Sequence, residues 1–193
     1  MKKLMLLVVA AACSKSGSAP APAAKLDVSG VNALVPAELK DKLAFEQRDI
    51  IEERGKRSKT TYTLAAPKGW EQDMKSFASV KPPSEPDLGF MTSFKVGSNC
   101  DGVCESKDWA KVSEKASFAQ FRGEGWKIVK DESNKTSHLM VAQMDDSVYV
   151  TYAWWADGAR KYYTCSAHLE KEVAAAADAF AKACQAVTVK GDA

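Results

Sequence analysis

The run Ser147–Trp155 constrains the fold more than any other stretch of this chain. Read as a strand, it puts Val148, Val150, Tyr152 and Trp154 on one face and Tyr149, Thr151, Ala153 and Trp155 on the other. Neither face is polar. A strand that is apolar on both sides has to be covered on both sides, so it belongs inside a sheet packed between two layers. Its neighbours supply that sheet. Trp126–Asp131, Ser137–Met144 and Arg160–His168 have strand-like composition, and Ser133-Asn134, Asp145-Asp146 and Asp157-Gly158 punctuate the four runs. An antiparallel meander is the simplest topology.

Upstream, Leu43–Glu53 and Lys59–Ala66 flank Gly55-Lys56-Arg57-Ser58 as a hairpin, whose charged tip reads as a solvated turn. Trp70 opens a short helical segment to about Ala78, and Pro82, Pro83 and Pro86 enforce a loop. Leu88–Gly97 follows as a strand with Phe90, Thr92, Phe94 and Val96 on one face. Ser106–Arg122 reads as a helix, capped by Ser106 and ended by Gly123, with Trp109, Val112, Ala116 and Ala119 at helical spacing. A last helix is expected over Glu170–Ala186. The fold class expected is α+β: an antiparallel sheet with helices on both faces, an α/β/α sandwich stabilised by disulfides.

The front of the chain carries an address. Lys2 and Lys3 precede an apolar run from Leu4 to Ala12, too short to cross roughly 30 Å of hydrocarbon as a helix. Ala10-Ala11-Ala12 then provides small residues immediately before Cys13. This pattern resembles the lipobox signal peptide of bacterial lipoproteins, although Ala10 stands where Leu is usual. The resemblance implies cleavage after residue 12 and acylation of Cys13, palmitate included. Ser14–Lys25 is built only from Ser, Lys, Gly, Ala and Pro, the composition of an unstructured tether. The organisation expected is therefore a signal peptide at 1–12, a tether at 13–27 and one α+β domain at 28–193. By analogy with lipoprotein sorting, Ser14 carries no inner-membrane retention signal, which makes the outer membrane, facing the periplasm, the expected location.

Charge and cysteine usage fit that compartment. The 193 residues hold 27 Lys+Arg against 25 Asp+Glu, and loss of Lys2 and Lys3 with the leader brings the balance to zero. A chain without surplus cations has no electrostatic case for binding nucleic acid. Of five cysteines, Cys13 is taken by lipid, which leaves Cys100, Cys104, Cys165 and Cys184 for two disulfides. Cys165 lies on the apolar face of its strand. Cys184 lies on the helix stripe Val173, Ala177, Phe180, Cys184, Val187, which should face the sheet. The expected pairs are Cys165–Cys184 and Cys100–Cys104.

No residue set demands catalysis. Nucleophile elbow, zinc-protease and phosphate-loop motifs are missing, and Gly123-Glu124-Gly125 follows a helix, the wrong order for a nucleotide cradle. The histidines are His138 and His168; neither has a metal-ligand partner at short spacing, and His138 is expected as a packed or surface residue without a carboxylate nearby. Asn99, Asp101, Glu105 and Asp108 carry oxygens suited to calcium, but their spacing matches no EF-hand, so a disulfide-pinned loop is expected there. Catalytic residues, metals and cofactors are accordingly expected to be none. The adjacent Trp154 and Trp155 point oppositely and cannot share one core, so burial under helices on the two faces is expected, with exposure of one as a binding surface the alternative.

A strand running into Pro67-Lys68-Gly69-Trp70, a later meander and a closing helix resemble the PsbP-like sandwich over residues 59–190. That fold occurs in photosystem accessory proteins, a Ran-binding nuclear import factor and several bacterial lipoproteins. The hairpin strand before residue 59 and the Cys100–Cys104 loop lie outside the pattern. The resemblance implies a binding or accessory role without transferable catalytic residues. The expected function is a lipid-anchored, non-enzymatic envelope protein serving a partner in the periplasm. A small-ligand carrier with an aromatic cleft is the alternative, and a hydrolase the third reading. The partners expected are the membrane, through the N-terminal lipid, and an envelope protein.

Overall fold

Phe180 sits where the layers of this protein meet. Its ring packs edge-on against Phe45 at 5.1 Å and Phe94 at 5.4 Å, and against Trp70 at 5.8 Å. The computed structural model describes residues 26–54, 58–83, 88–89, 91–99, 118–155 and 162–191. Cys13, the tether to residue 25, Cys100, Cys104 and most of the Ser106–Arg122 segment lie outside the described residues.

Two antiparallel sheets form the framework. β1 (Phe45–Arg54) and β2 (Ser58–Pro67) pair in register around the expected hairpin, and β10 (Thr188–Gly191) adds to the other edge of β2. The larger sheet has seven strands. β3 (Glu71–Met74), β4 (Phe77–Lys81), β5 (Ser93–Asn99), β6 (Lys127–Ser133), β7 (Ser137–Met144), β8 (Ser147–Trp155) and β9 (Tyr162–Leu169) take the order β3-β4-β5-β9-β8-β7-β6. The meander from β6 to β9 is present as expected. β5 pairs with its sequence neighbour β4 on one edge and with the distant β9 on the other, where Phe94 and Val96 meet the apolar Ala167 and Cys165 across the rungs.

Helix α1 (Val28–Ala33) is capped by Asp27, whose Oδ1 accepts the Gly30 N–H at 2.9 Å and the Ser29 hydroxyl at 2.9 Å. Those bonds hold the exposed carboxyl below its ordinary range. Asn32 then locks α1 to the start of β1, donating to the Phe45 carbonyl at 2.9 Å and accepting the Phe45 N–H at 2.7 Å. Helix α2 (Ala177–Gln185) buries Ala179, Phe180, Ala181, Ala183 and Cys184 against the larger sheet. The Cys165–Cys184 disulfide fastens it there, with 5.3 Å between α-carbons.

The fold is α+β and mostly antiparallel sheet, and three expectations change. The segment after Trp70 is the β3–β4 hairpin and not a helix. Ala78 and Val80 are buried where β4 pairs with β5, and that pairing sets the segment as strand. The closing helix is shorter than Glu170–Ala186; a 3₁₀ turn at Ala174–Ala176 precedes α2, and β10 follows it. Finally, α2 packs on one face of the larger sheet, and α1 packs against α2 and β1 on that same side of the core. On the other face, the described cover is a 3₁₀ turn at Ala119–Arg122, which seats Phe118 and Phe121.

Candidate functional site

Rungs across the larger sheet sort its second face. One rung runs Lys95, Ser166, Thr151, Met140, Asp131 from β5 to β6. The next runs Ser93, His168, Tyr149, Ala142, and a third runs Gly97, Thr164, Ala153, His138. Residues paired on a rung share a face, so this face has two halves. Towards β7, Met140, Ala142, Ala153 and Tyr162 form an apolar floor under Phe118 and Phe121. Towards β5, the same rungs carry hydroxyls, an ammonium and an imidazole.

The polar half lines a cleft of about 360 Å³, bounded by Gln120 and Phe121 on one side and by Ser93, Lys95, Thr164 and Ser166 on the other. Tyr149 and His168 form a wall, their rings stacked 4.3 Å apart at 14°. Trp126 braces that wall, 4.9 Å from Tyr149 and 4.8 Å from Phe121, both edge-on. Thr151 is buried at the base with 6% of its surface exposed. Lys95 is exposed and has no ion pair among the described residues. The His168 Nε2 is shielded and unpartnered, so the imidazole serves as wall and not as a paired base.

His138 corrects a sequence expectation. A carboxylate is at hand: Asp131 Oδ1 lies 2.6 Å from His138 Nε2, reaching diagonally from β6 to β7. Arg122 holds the other oxygen, Oδ2, at 3.3 Å. Phe118 stacks on the imidazole at 4.0 Å and leaves the histidine 6% exposed. The trio thus clamps the 3₁₀ turn onto the sheet, in a place closed to a substrate.

Trp154 and Trp155 point to opposite faces and are half-buried. Trp154 stacks between Tyr152 (5.4 Å) and Tyr163 (5.5 Å) beside the main core, while Trp155 packs at the second cluster. Neither lines the cleft. A second cavity of about 330 Å³, near Glu132, Asn134, Leu139, Tyr152 and Gln185, is lined by carboxylates and amides without an unpaired cation. Among the described residues, no three His, Cys, Asp or Glu side chains converge as metal ligands. No described helix is long and apolar enough to cross a membrane. The cleft escaped the sequence because its residues come from β5, β8, β9 and the 3₁₀ turn; the one readable signal was the polar alternation Thr164, Ser166, His168.

No family model matches the sequence, and no curated protein matches it. Among solved structures, the chain is similar to the Ran-binding protein Mog1p of Saccharomyces cerevisiae. The identity is 10% over 75% of this chain and 96% of that one, with a TM-score of 0.46. It is likewise similar to a mutant of protein Mog1, at 11% identity over 74% and 95% of the two chains and a TM-score of 0.46.

Proposed function

We propose that this chain is a lipid-anchored cell-envelope protein with a non-enzymatic binding role in the periplasm, held at the outer membrane. The observation that carries the reading is the sequence Lys2-Lys3, apolar run, Ala10-Ala11-Ala12, Cys13, then a Ser/Ala/Pro tether that gives way to capped helix α1 at Val28. A lipid, a flexible spacer and a folded head are the parts that such a protein needs. The strand leading into Pro67-Lys68-Gly69-Trp70 and the β6–β9 meander support a PsbP-like arrangement of the head. The accessory role is supported by the burial of His138, the histidine that has a carboxylate partner. Radiolabelled palmitate is expected to enter the expressed full-length protein, and Cys13→Ser to abolish it. Labelling that survives the substitution rejects the anchor.

A second reading, a small-ligand carrier, is favoured by the cleft of about 360 Å³ at Tyr149 and Lys95. The size is within the range that small-molecule sites occupy. Crosslinking in intact cells separates the two: a reproducible envelope-protein adduct supports the accessory role, and its absence together with a saturable small-molecule ligand supports the carrier.

A further inference from the structure

We infer that the cleft on the second face takes a small organic carboxylate with a flat apolar body. This deepens the carrier reading of the same site and is independent of the anchor. The lining sets the charge. Among the described residues Lys95 supplies an ammonium without an ion-pair partner, and no described lining residue is a carboxylate, so an anion is the complement. The donors set the group. Ser166 is beside Lys95 on its rung and Thr164 lies two residues away on the same strand face, so two hydroxyls share the Lys95 side of the cleft. Thr151, on the far side of Ser166, adds a third from the buried base. A carboxylate, with one charge and two oxygens, matches one cation and a short row of hydroxyls. A phosphate would bring a second charge with no second cation to meet it, and a neutral polyol would leave the ammonium unpaired.

The wall sets the body. Half-buried Tyr149 offers ring surface to the cleft beside the buried Phe121, and Trp126 packs edge-on against both. Flat apolar surface against aromatic rings is the favoured contact there. Two residues beyond Lys95 on the same strand face, Gly97 adds no side chain, and a Cβ built there meets nothing within 4 Å among the described residues.

Benzoate titrated into the full-length protein in detergent tests this, with benzamide and inorganic phosphate as comparisons. Benzoate is expected to change tryptophan emission saturably through Trp126, and Trp126→Phe to remove most of that change. Benzamide and phosphate should bind about tenfold more weakly or worse, and Lys95→Gln should weaken benzoate about tenfold without shifting the unfolding midpoint. Since Lys95 is exposed and makes no ion pair among the described residues, that variant tests charge and not folding. Equal affinity for benzoate and benzamide, phosphate binding as tightly as benzoate, unchanged binding by Lys95→Gln, or no saturable benzoate signal each overturns the assignment. Palmitate labelling is read separately, so loss of this site leaves the anchor standing.

Discussion

His138 and Asp131 are joined across neighbouring strands, Nε2 to Oδ1 at 2.6 Å, although they lie seven residues apart around a turn. The imidazole is buried under Phe118 and the carboxylate is its described hydrogen-bond partner. Removing that partner leaves a buried ring nitrogen without a bond, so Asp131→Ala is expected to cost about 1–3 kcal/mol in urea unfolding. Its neighbour Glu132 has only an exposed pairing with Lys130, and Glu132→Ala is expected to cost less than about 1 kcal/mol. Equal losses would show that the clamp contributes nothing.

Trp70 tests the junction between the two sheets. It is 2% exposed and packs on Phe180, and its carbonyl accepts a hydrogen bond from the Arg48 guanidinium. Trp70→Ala is expected to cost on the order of 3–5 kcal/mol. A loss under about 1 kcal/mol, measured by chemical denaturation, would contradict its place in the core.

The Cys165–Cys184 bond spans 19 positions of chain and joins β9 to α2. Replacing both cysteines with Ala is expected to lower stability by roughly 3 kcal/mol in the chain-entropy account. Non-reducing peptide mapping checks the connectivity itself. A peptide joining Cys165 or Cys184 to Cys100 or Cys104 would reject it.

Gly69 turns the chain from β2 into the β3 hairpin with φ at +79°, where a Cβ would touch nothing within 4 Å. The cost of Gly69→Ala is therefore conformational and not steric, about 1 kcal/mol, and Gly69→Asn should recover part of it. An alanine variant as stable as the parent would remove the backbone argument.

Burial pushes the Tyr163 phenol above its ordinary value of 10.0. The folded state thus holds this proton more tightly than the unfolded chain does. The stabilisation is complete below pH 10.0 and is lost as pH rises through the folded-state value. Tyr163→Phe is expected to flatten the alkaline fall in stability, followed by thermal melts across that pH range. An unchanged alkaline slope would place the effect on another group.

Local alternation and turn residues were enough to read β1, β2 and the four strands of the meander. In each of these, side-chain period and punctuation agree with the final pairing. The disulfide was legible for a similar reason, since strand period placed Cys165 on an apolar face and helix period placed Cys184 on an apolar stripe. Trp70–Ala78 misled because three or four residues of apolar spacing suit a helix and a short hairpin equally well. The choice fell to β5, which buries Ala78 and Val80 once β4 pairs with it.

What the sequence determined by itself was the class of the head, α+β with a mostly antiparallel sheet, because strand and helix periods are local properties of side-chain order. Tertiary structure alone decided that β5 lies beside β9 and set the registers that fix which side chains share a rung. Lys95, Ser166 and Thr151 meet only after β5 inserts beside β9, and Asp131 finds His138 only across the β6–β7 register. The first encounter depends on long-range pairing and the second on the register of a hairpin, and no spacing within one segment encodes either.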